Sequence, residues 1–313
     1  MDIPEMRAVY ANTLLALARK DPRIMVVEAD LMRATGTGVF QEAFPDRLID
    51  VGVAEANMVG VAAGLSVSGK IPFAATFGCF ASRRVFDQFF ISCNYARLNV
   101  KLVGTDPGIT AAFNGGTHMP FEDLALMRVI PDLTILEPSD PVSLEKMVGL
   151  VASFYGCAYM RLHRKQVPPI YEASTAFSIG KGKLLQQGTD ILIVALGAVM
   201  VPEALKAAIQ LQQMGISAAV IDALTLKPLD SELILETASQ VRAVVTAENH
   251  QVIGGLGSAV AELLAEHHPM PLRRVGVQGL FGEVGTFEYL QKRFGLDAET
   301  ITLAAREALA QTN

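Results

Sequence analysis

"LIDVGVAEANMVGVAAGLSVSGKIPFAATF", residues 48–77, reads as strand, helix, strand. Its two ends, "LIDVGV" (48–53) and "IPFAATF" (71–77), are short apolar runs, and the stretch 55–68 between them is built from small, largely apolar residues. Two strands joined by one helix form the crossover unit of a parallel sheet. One carboxylate, Glu55, stands where the first strand gives way to the helix. As a first-turn acid it favours the helix dipole. It also stands at the carboxyl end of a strand, where open α/β sheets collect their ligands, and a buried acid needs a partner or a task. Gly60 and Gly64, four residues apart on the same helix, allow close backbone approach and predict a tight, dry seam around that acid.

The alternation continues in both directions. "RIMVVEAD" (23–30), "VKLVGTD" (100–106), "LTILEP" (133–138) and "AYMRLH" (158–163) read as further strands. Helical patterns fall at 6–19, 80–95, 121–129 and 140–154, the last with Ser139 or Asp140 as N-cap. "RKQVPPIYEASTAFSIGKGK" (164–183) breaks the pattern with Pro168-Pro169 and turn-forming residues. Strands then return at "DILIVALGAV" (190–199), "ISAAVID" (216–222), "VRAVVTAE" (241–248) and "LRRVGV" (272–277), with helices at 202–214, near 231–239 and at 257–267. The expected fold is α/β, two doubly wound and mostly parallel-sheet domains at 1–165 and 185–313 with a linker at 166–184.

Composition narrows the function. The chain has 313 residues, 51 % hydrophobic and 19 % charged, with a net charge of −6. The only basic cluster is "RLHRK" (161–165), which argues against a nucleic-acid partner. No apolar run reaches the roughly 18 residues of a membrane helix. "MDIPEMR" at the start is unlike a secretory signal. Cys79, Cys93 and Cys157 stand singly, without disulfide or metal spacing, and read as buried thiols of a reducing compartment. A cytoplasmic protein without a membrane span is expected.

The carboxyl ends of the first domain's strands gather the candidates on one edge: Glu28 to Asp30, Glu55, Phe77, Asp106 and Arg161 to Arg164. Phe86, Phe89 and Phe90 read as core, whereas Phe77 and Phe80 at the strand-to-helix turn suit a flat platform for a ring. His118, beside Gly115-Gly116 in a loop, is structural or functional. "RLHRK" is a solvated strand end or a phosphate clamp. "HQVIGGLGSAVAELL" (250–264) lacks dinucleotide spacing and reads as a tight turn.

Taken together, these motifs resemble the C-terminal half of transketolase over essentially the entire chain. "VGVAEANMVGVAAGLSVSGKIPFAATFGCF" resembles that family's pyrimidine-binding segment, "GGTHMPFEDLALMRVIPDLTILEPSD" its histidine loop, and "FGEVGTFEYLQKRFGLD" (281–297) its closing signature. The resemblance implies thiamine diphosphate as cofactor, with Mg2+. Glu55 matches the glutamate that hydrogen-bonds N1′ of the aminopyrimidine and activates the cofactor, and an apolar seam favours the protonated carboxyl that this requires. Phe80 matches the stacking aromatic, Phe77 a second wall and Asp30 an aspartate near the cofactor. Arg7 and Arg164 match arginines that hold the sugar phosphate. His118 matches the histidine near the reacting carbons, and with Glu55 it completes the expected catalytic pair.

Three positions depart from the family pattern. Its third pocket aromatic falls at Arg83. An acceptor-phosphate serine falls near Ala34, with Thr35 and Thr37 as substitutes. An aspartate that reads substrate hydroxyls falls at Phe113 or Asn114. The family's "GDG" followed by an asparagine, which holds the diphosphate and the metal, is absent from the sequence. The resemblance therefore implies a split transketolase: this chain with a separate diphosphate-domain subunit, as an α2β2 assembly acting on sugar phosphates. A 2-oxo acid dehydrogenase β-type subunit, half of a 1-deoxyxylulose-5-phosphate synthase and a non-catalytic partner subunit are the alternatives. A loop reading "NGGTHMPFEDLALMR" rather than one richer in histidine favours transketolase.

Overall fold

Apolar strands alternating with helices fold into two sheets with helices packed against them. The computed structural model describes residues 3–312. The first domain contributes β1 (Ile24–Glu28), β2 (Leu48–Asp50), β3 (Ile71–Phe77), β4 (Lys101–Thr105), β5 (Thr134–Leu136) and β6 (Ala158–Leu162). The second contributes β7 (Lys183–Gln186), β8 (Ile191–Leu196), β9 (Ala218–Asp222), β10 (Thr225–Lys227), β11 (Ala243–Gln251) and β12 (Leu272–Val277). The larger sheet runs β10-β5-β6-β4-β3-β1-β2 and the smaller β12-β11-β8-β9-β7. All pairings are parallel except β10 with β5 and β7 with β9, so each sheet carries one antiparallel edge. β1, β4 and β6 are buried along their whole length, and so are the Glu28, Lys101 and Arg161 that interrupt their apolar sequence. No described helix is long and apolar enough to cross a membrane.

Most elements lie where the sequence pattern puts them. The helices Met6–Lys20, Glu55–Val67, Asp123–Arg128 and Pro141–Ser153 are observed, and Asp140 is the N-cap of the last. Its Oδ1 accepts from the Ser143 amide at 2.7 Å, while Ser143 Oγ accepts from the Asp140 amide at 3.0 Å. Residues 80–95 are helical but not a plain α-helix: π-helical Phe80–Arg84 and Phe89–Tyr95 flank a single α turn, Phe86–Gln88. The helices Phe287–Phe294 and Ala298–Ala310 complete the second domain.

The joint between the domains is tightly tied. β10 belongs to the second domain in sequence but pairs with β5 of the first, so it closes the larger sheet. β7 begins at Lys183, inside the expected linker. The second oxygen of Asp140 accepts from the Ile170 and Tyr171 amides at 2.8 and 3.0 Å, and the Tyr171 hydroxyl donates to Asp222 at 2.7 Å. One apolar cluster runs from Val27 and Leu102 of the first sheet through Leu124 and Leu226 to Val194 and Val244 of the second.

A polar tie across the same joint starts from Arg161, which is fully buried. Nε and Nη2 donate to the two oxygens of Asp123 at 2.8 and 3.1 Å, Nη1 to Glu137 at 2.6 Å and Nη2 also to the Asn249 carbonyl at 2.9 Å. The Tyr159 hydroxyl adds a bond to Asp123 at 2.8 Å. A guanidinium fork supplies the several donors such a buried cluster needs. The "RLHRK" run is therefore a solvated strand end only in part, because Arg161 points inward and pairs with residues distant in sequence. Asn249 extends the tie: its amide donates to the Pro107 carbonyl at 2.9 Å and its oxygen accepts from the Ile109 amide at 3.0 Å. Gly108 sits between them at φ 54°, and a Cβ there would meet the Asn249 oxygen at 2.1 Å.

Glu28 ends β1 as a second buried ionisable group. Thr35 and Thr37 each donate to its Oε1 at 2.7 Å, which fastens the short helix Met32–Thr35 against the strand. Its other oxygen and the buried Tyr10 hydroxyl have no partner among the described residues. Burial pushes the Glu28 carboxyl up to about 8 against the pull of both hydroxyl donors. A carboxyl raised in the folded state contributes stability below its unfolded value, near 4.5, and that contribution is lost as the pH rises toward 8. Glu28→Gln should therefore gain on the wild type across that window, by on the order of a few kcal/mol. Urea unfolding of both proteins at pH 5, 7 and 9 checks it; parallel pH curves would mean that Glu28 is ionised throughout.

Candidate active site at the carboxyl edge of the first sheet

The strand order reverses around β1, with β2 on one side and β3 on the other, and the carboxyl ends beside that switch are the edge at which open α/β sheets bind ligands. Asp30 follows β1 at φ 61°, exposed, its amide held by the Asp50 carboxylate at 2.9 Å. The Gly52 amide donates to the same Asp50 oxygen at 2.9 Å, which fixes the turn leading to Glu55.

Glu55 is buried in the first turn of its helix, as the sequence predicts. The predicted glycine seam is not what encloses it. A Cβ at Gly60 or Gly64 would meet nothing within 4 Å, so that face of the helix is open in this chain. Glu55 is covered instead by Arg84, whose Nη1 donates to both carboxylate oxygens at 2.8 and 2.9 Å. The Arg84 guanidinium in turn lies over the Phe80 ring, 4.0 Å from its centre.

Three rings complete the cleft. Phe77 ends β3, and Phe80 opens the π-helical segment one turn later, with centroids 6.0 Å apart. His118 packs edge-on against both, at 5.9 Å from Phe77 and 5.2 Å from Phe80. Its Nδ1 pairs with the Thr117 hydroxyl at 2.9 Å, which leaves Nε2 as the ring nitrogen open to a ligand. Arg83, where the sequence resemblance leads one to expect a third pocket aromatic, braces a loop instead. It donates to the Thr117 carbonyl at 2.9 Å and pairs with Glu122 at 3.1 Å, so it braces the histidine loop against the π-helix.

The positive charge lies at the opposite flank. Arg164 sits 5.4 Å from the Phe77 ring centre, and its Nε donates to the buried Asp106 carboxylate at 2.6 Å. Burial pushes the Asp106 carboxyl up, and the Arg164 charge partly offsets this. The Arg7 amide donates to the Arg164 carbonyl at 3.2 Å, which makes the two arginines neighbours although 157 positions separate 7 from 164. Arg7 is held by Glu5 at 2.6 Å and by the Arg33 carbonyl at 3.2 Å.

The structure thus brings together Glu55, Phe77, Phe80, His118, Arg7 and Arg164, with Asp30 on the adjoining strand end. Asn114 lies exposed on the histidine loop, beside exposed Phe113. Thr35 and Thr37 do not present their hydroxyls to the cleft, because both are buried on Glu28. Sequence reading missed Arg84 and Asp50. The signal for Arg84 was its place four residues after Phe80, at a spacing that stacks side chains along a helix.

Residues 3–169 match the transketolase pyrimidine binding domain, and residues 180–301 match the transketolase C-terminal domain. A 6-deoxy-6-sulfo-D-fructose transketolase subunit, SqwH, from Clostridium sp. (strain MSTE9) is 51 % identical over 308 residues, covering 98 % of this chain and 95 % of the relative. One subunit of an apulose-4-phosphate transketolase from Phocaeicola vulgatus is 34 % identical over 302 residues, covering 96 % of each. A split gene transketolase solved as an inactive beta4 tetramer superposes with a TM-score of 0.91 at 43 % identity, covering 100 % of both chains. Edge geometry, domain matches and full-length relatives converge: the chain belongs to the transketolase family and is homologous to its separately encoded subunits.

Proposed function

We propose that this chain is the pyrimidine-binding subunit of a thiamine-diphosphate-dependent transketolase, moving a two-carbon ketol unit between sugars together with a separate diphosphate-domain subunit. One observation carries the reading: a buried carboxylate, Glu55, opens a helix beside Phe80 and His118 at the sheet's ligand edge. The pocket suits the cofactor's ring. It already holds a planar N–H donor, the Arg84 guanidinium, on the Phe80 face and against Glu55. An aminopyrimidine needs those same two surfaces, one to stack on and one to hydrogen-bond.

Glu55 would hold the ring nitrogen, Phe80 and Phe77 the ring faces, and Asp30 would stand close by. When bound, thiamine diphosphate supplies the carbon nucleophile and the electron sink for the two-carbon unit. The chain's residues supply orientation and proton positions. The Glu55 carboxyl would give or take a proton at N1′ from a side chain that is itself buried. His118, with Nδ1 fixed by Thr117, offers Nε2 to the sugar's oxygens, and Asn114 on the same loop offers an amide. Arg7 and Arg164 form a paired cationic site for the sugar's anionic end. Both relatives above are named for sugars with an anionic group, a sulfonate in one and a phosphate in the other. The partner subunit would hold the diphosphate and most of the Mg2+ shell. The separately encoded relatives and the open Gly60/Gly64 helix face support such a partner, with two copies of each chain as the proposed assembly. The relatives' names favour transketolase over a 2-oxo acid dehydrogenase, and a cytoplasmic setting goes with the free cysteines.

The decisive experiment is reconstitution with the partner. The chain alone should show no ketol transfer, and addition of the partner with thiamine diphosphate and Mg2+ should produce it. Full activity of the isolated chain would defeat the two-subunit reading. In the reconstituted enzyme, Glu55→Gln should lose roughly 10²-fold or more in kcat while cofactor affinity falls less, the usual scale for a proton-transfer group. Near-wild-type turnover of that variant at saturating cofactor would remove Glu55 from the mechanism.

The arginine site is tested by substrate choice. Arg164→Ala should raise KM for sugar phosphates or sulfonates by about 10- to 100-fold, the loss of one charged hydrogen bond. It should leave KM for hydroxypyruvate, which has no distal anion, nearly unchanged. Equal losses on both substrate types would show that Arg164 acts on the fold and not on the anion.

A further inference from the structure

Arg84 makes both contacts that the cofactor's aminopyrimidine requires, and it makes them in the same place. Its guanidinium is planar, lies 4.0 Å from the centre of the Phe80 ring and donates to both Glu55 oxygens at 2.8 and 2.9 Å. The guanidinium occupies the Phe80 face that stands against Glu55, and a second planar group cannot stack on that face while it is there. The hydrogen bonding conflicts as well. A carboxyl that donates to a ring nitrogen must carry a proton, whereas accepting both guanidinium bonds uses Glu55 purely as an acceptor.

The two ends of the pair differ in freedom. Glu55 is 3 % exposed at its side chain, but Arg84 is 48 % exposed, so the arginine can leave toward solvent at modest cost. Its neighbour Arg83 cannot, being tied to Thr117 and Glu122. Both arginines end the π-helical turn Phe80–Arg84, a helix form frequent at functional sites.

We infer that Arg84 is a resident placeholder for the pyrimidine: it keeps the pocket open and Glu55 satisfied until the cofactor displaces it. The inference rests on the thiamine diphosphate reading of the site and adds a step to it. Cofactor entry exchanges one planar hydrogen-bond donor for another, so no buried carboxylate is left unpaired at any stage. Affinity for the cofactor is lowered by the strength of the contact that it replaces.

Calorimetric titration of thiamine diphosphate with Mg2+ into the chain reconstituted with its partner separates the outcomes. Arg84→Met, which keeps an unbranched apolar stem but removes the planar donor, should tighten the cofactor Kd by about tenfold or more. Arg84→Lys, which keeps a charge for Glu55 but has no plane to stack, should fall between the two. If Arg84→Met fails to fold, Arg84→Lys against wild type makes the same comparison. Equal affinity in wild type and variant overturns the placeholder role. Weaker affinity also overturns it and makes Arg84 a ligand of the cofactor. In either case, cofactor binding by the wild type together with loss of turnover in Glu55→Gln leaves the function reading standing. No thiamine diphosphate binding by any of these proteins overturns the function reading and the placeholder with it.

Discussion

The geometry of the site depends on one buried cation. Arg161 joins the end of β6 to Asp123 in the helix after the histidine loop, to Glu137 beyond β5 and to Asn249 in β11 of the second domain. Asn249 then fixes the backbone on both sides of Gly108, where the histidine loop departs. The loop's far end is braced by Arg83. His118 is thus positioned between two anchors, one reaching into the second domain and one on the aromatic turn. A buried arginine is tolerable only with its charge matched and its donors placed, and here the partners are two carboxylates and a carbonyl. Burial still pushes the Glu137 carboxyl up to about 7 despite the guanidinium beside it. Removing one partner would leave charge unpaired in the core, where it costs most.

The site divides by the kind of force that forms it. The aromatic wall comes from local sequence: Phe77 ends a strand, Phe80 follows by one turn, and their mutual packing needs little else. The charged flank comes from distant pairing. Arg7 and Arg164 meet because the first helix starts against the end of β6, with Met6 and Arg7 amides on the Lys165 and Arg164 carbonyls at 3.2 Å. Asp106 and Glu5 then orient the two side chains, and Arg7 donates to the Arg33 carbonyl as well. A cleft with rings on one side and paired cations on the other can place a flat cofactor and an anionic sugar at once.

How far this was legible follows the same division. Period-2 and period-3.6 apolar patterns are local, and they located the strands of the first domain and every helix over three turns long there. Glu55, Phe77, Phe80 and His118 were visible because strand ends and small-residue loops mark ligand edges without knowledge of the partners. Arg161 was read as part of a solvated strand end or a phosphate clamp, because a charge reveals its burial only through partners 24, 38 and 88 positions away. Thr35 and Thr37 were offered as substitutes for an acceptor-phosphate serine, and the sequence pattern did not show that Glu28 takes both. β10 was missed because three residues, Thr225–Lys227, carry no periodicity and gain their strand identity from β5. Residues 80–95 were read as one helix, since side-chain spacing does not distinguish a π turn from an α turn over so short a span.

That short strand β10 also bears on how such a protein can be rearranged. Sequence families place a boundary between residues 169 and 180, yet the hydrogen-bonded boundary of the first sheet lies at Lys227. Cutting the chain at the sequence boundary would strip the larger sheet of its outermost strand and leave β5 as a bare edge, a template for pairing with other chains. The two domains are therefore inherited as a couple. Gene fission or fusion that respects this fold breaks the polypeptide ahead of the first helix or after the last, and a hybrid that exchanges one domain alone has to bring a compatible β10 with it.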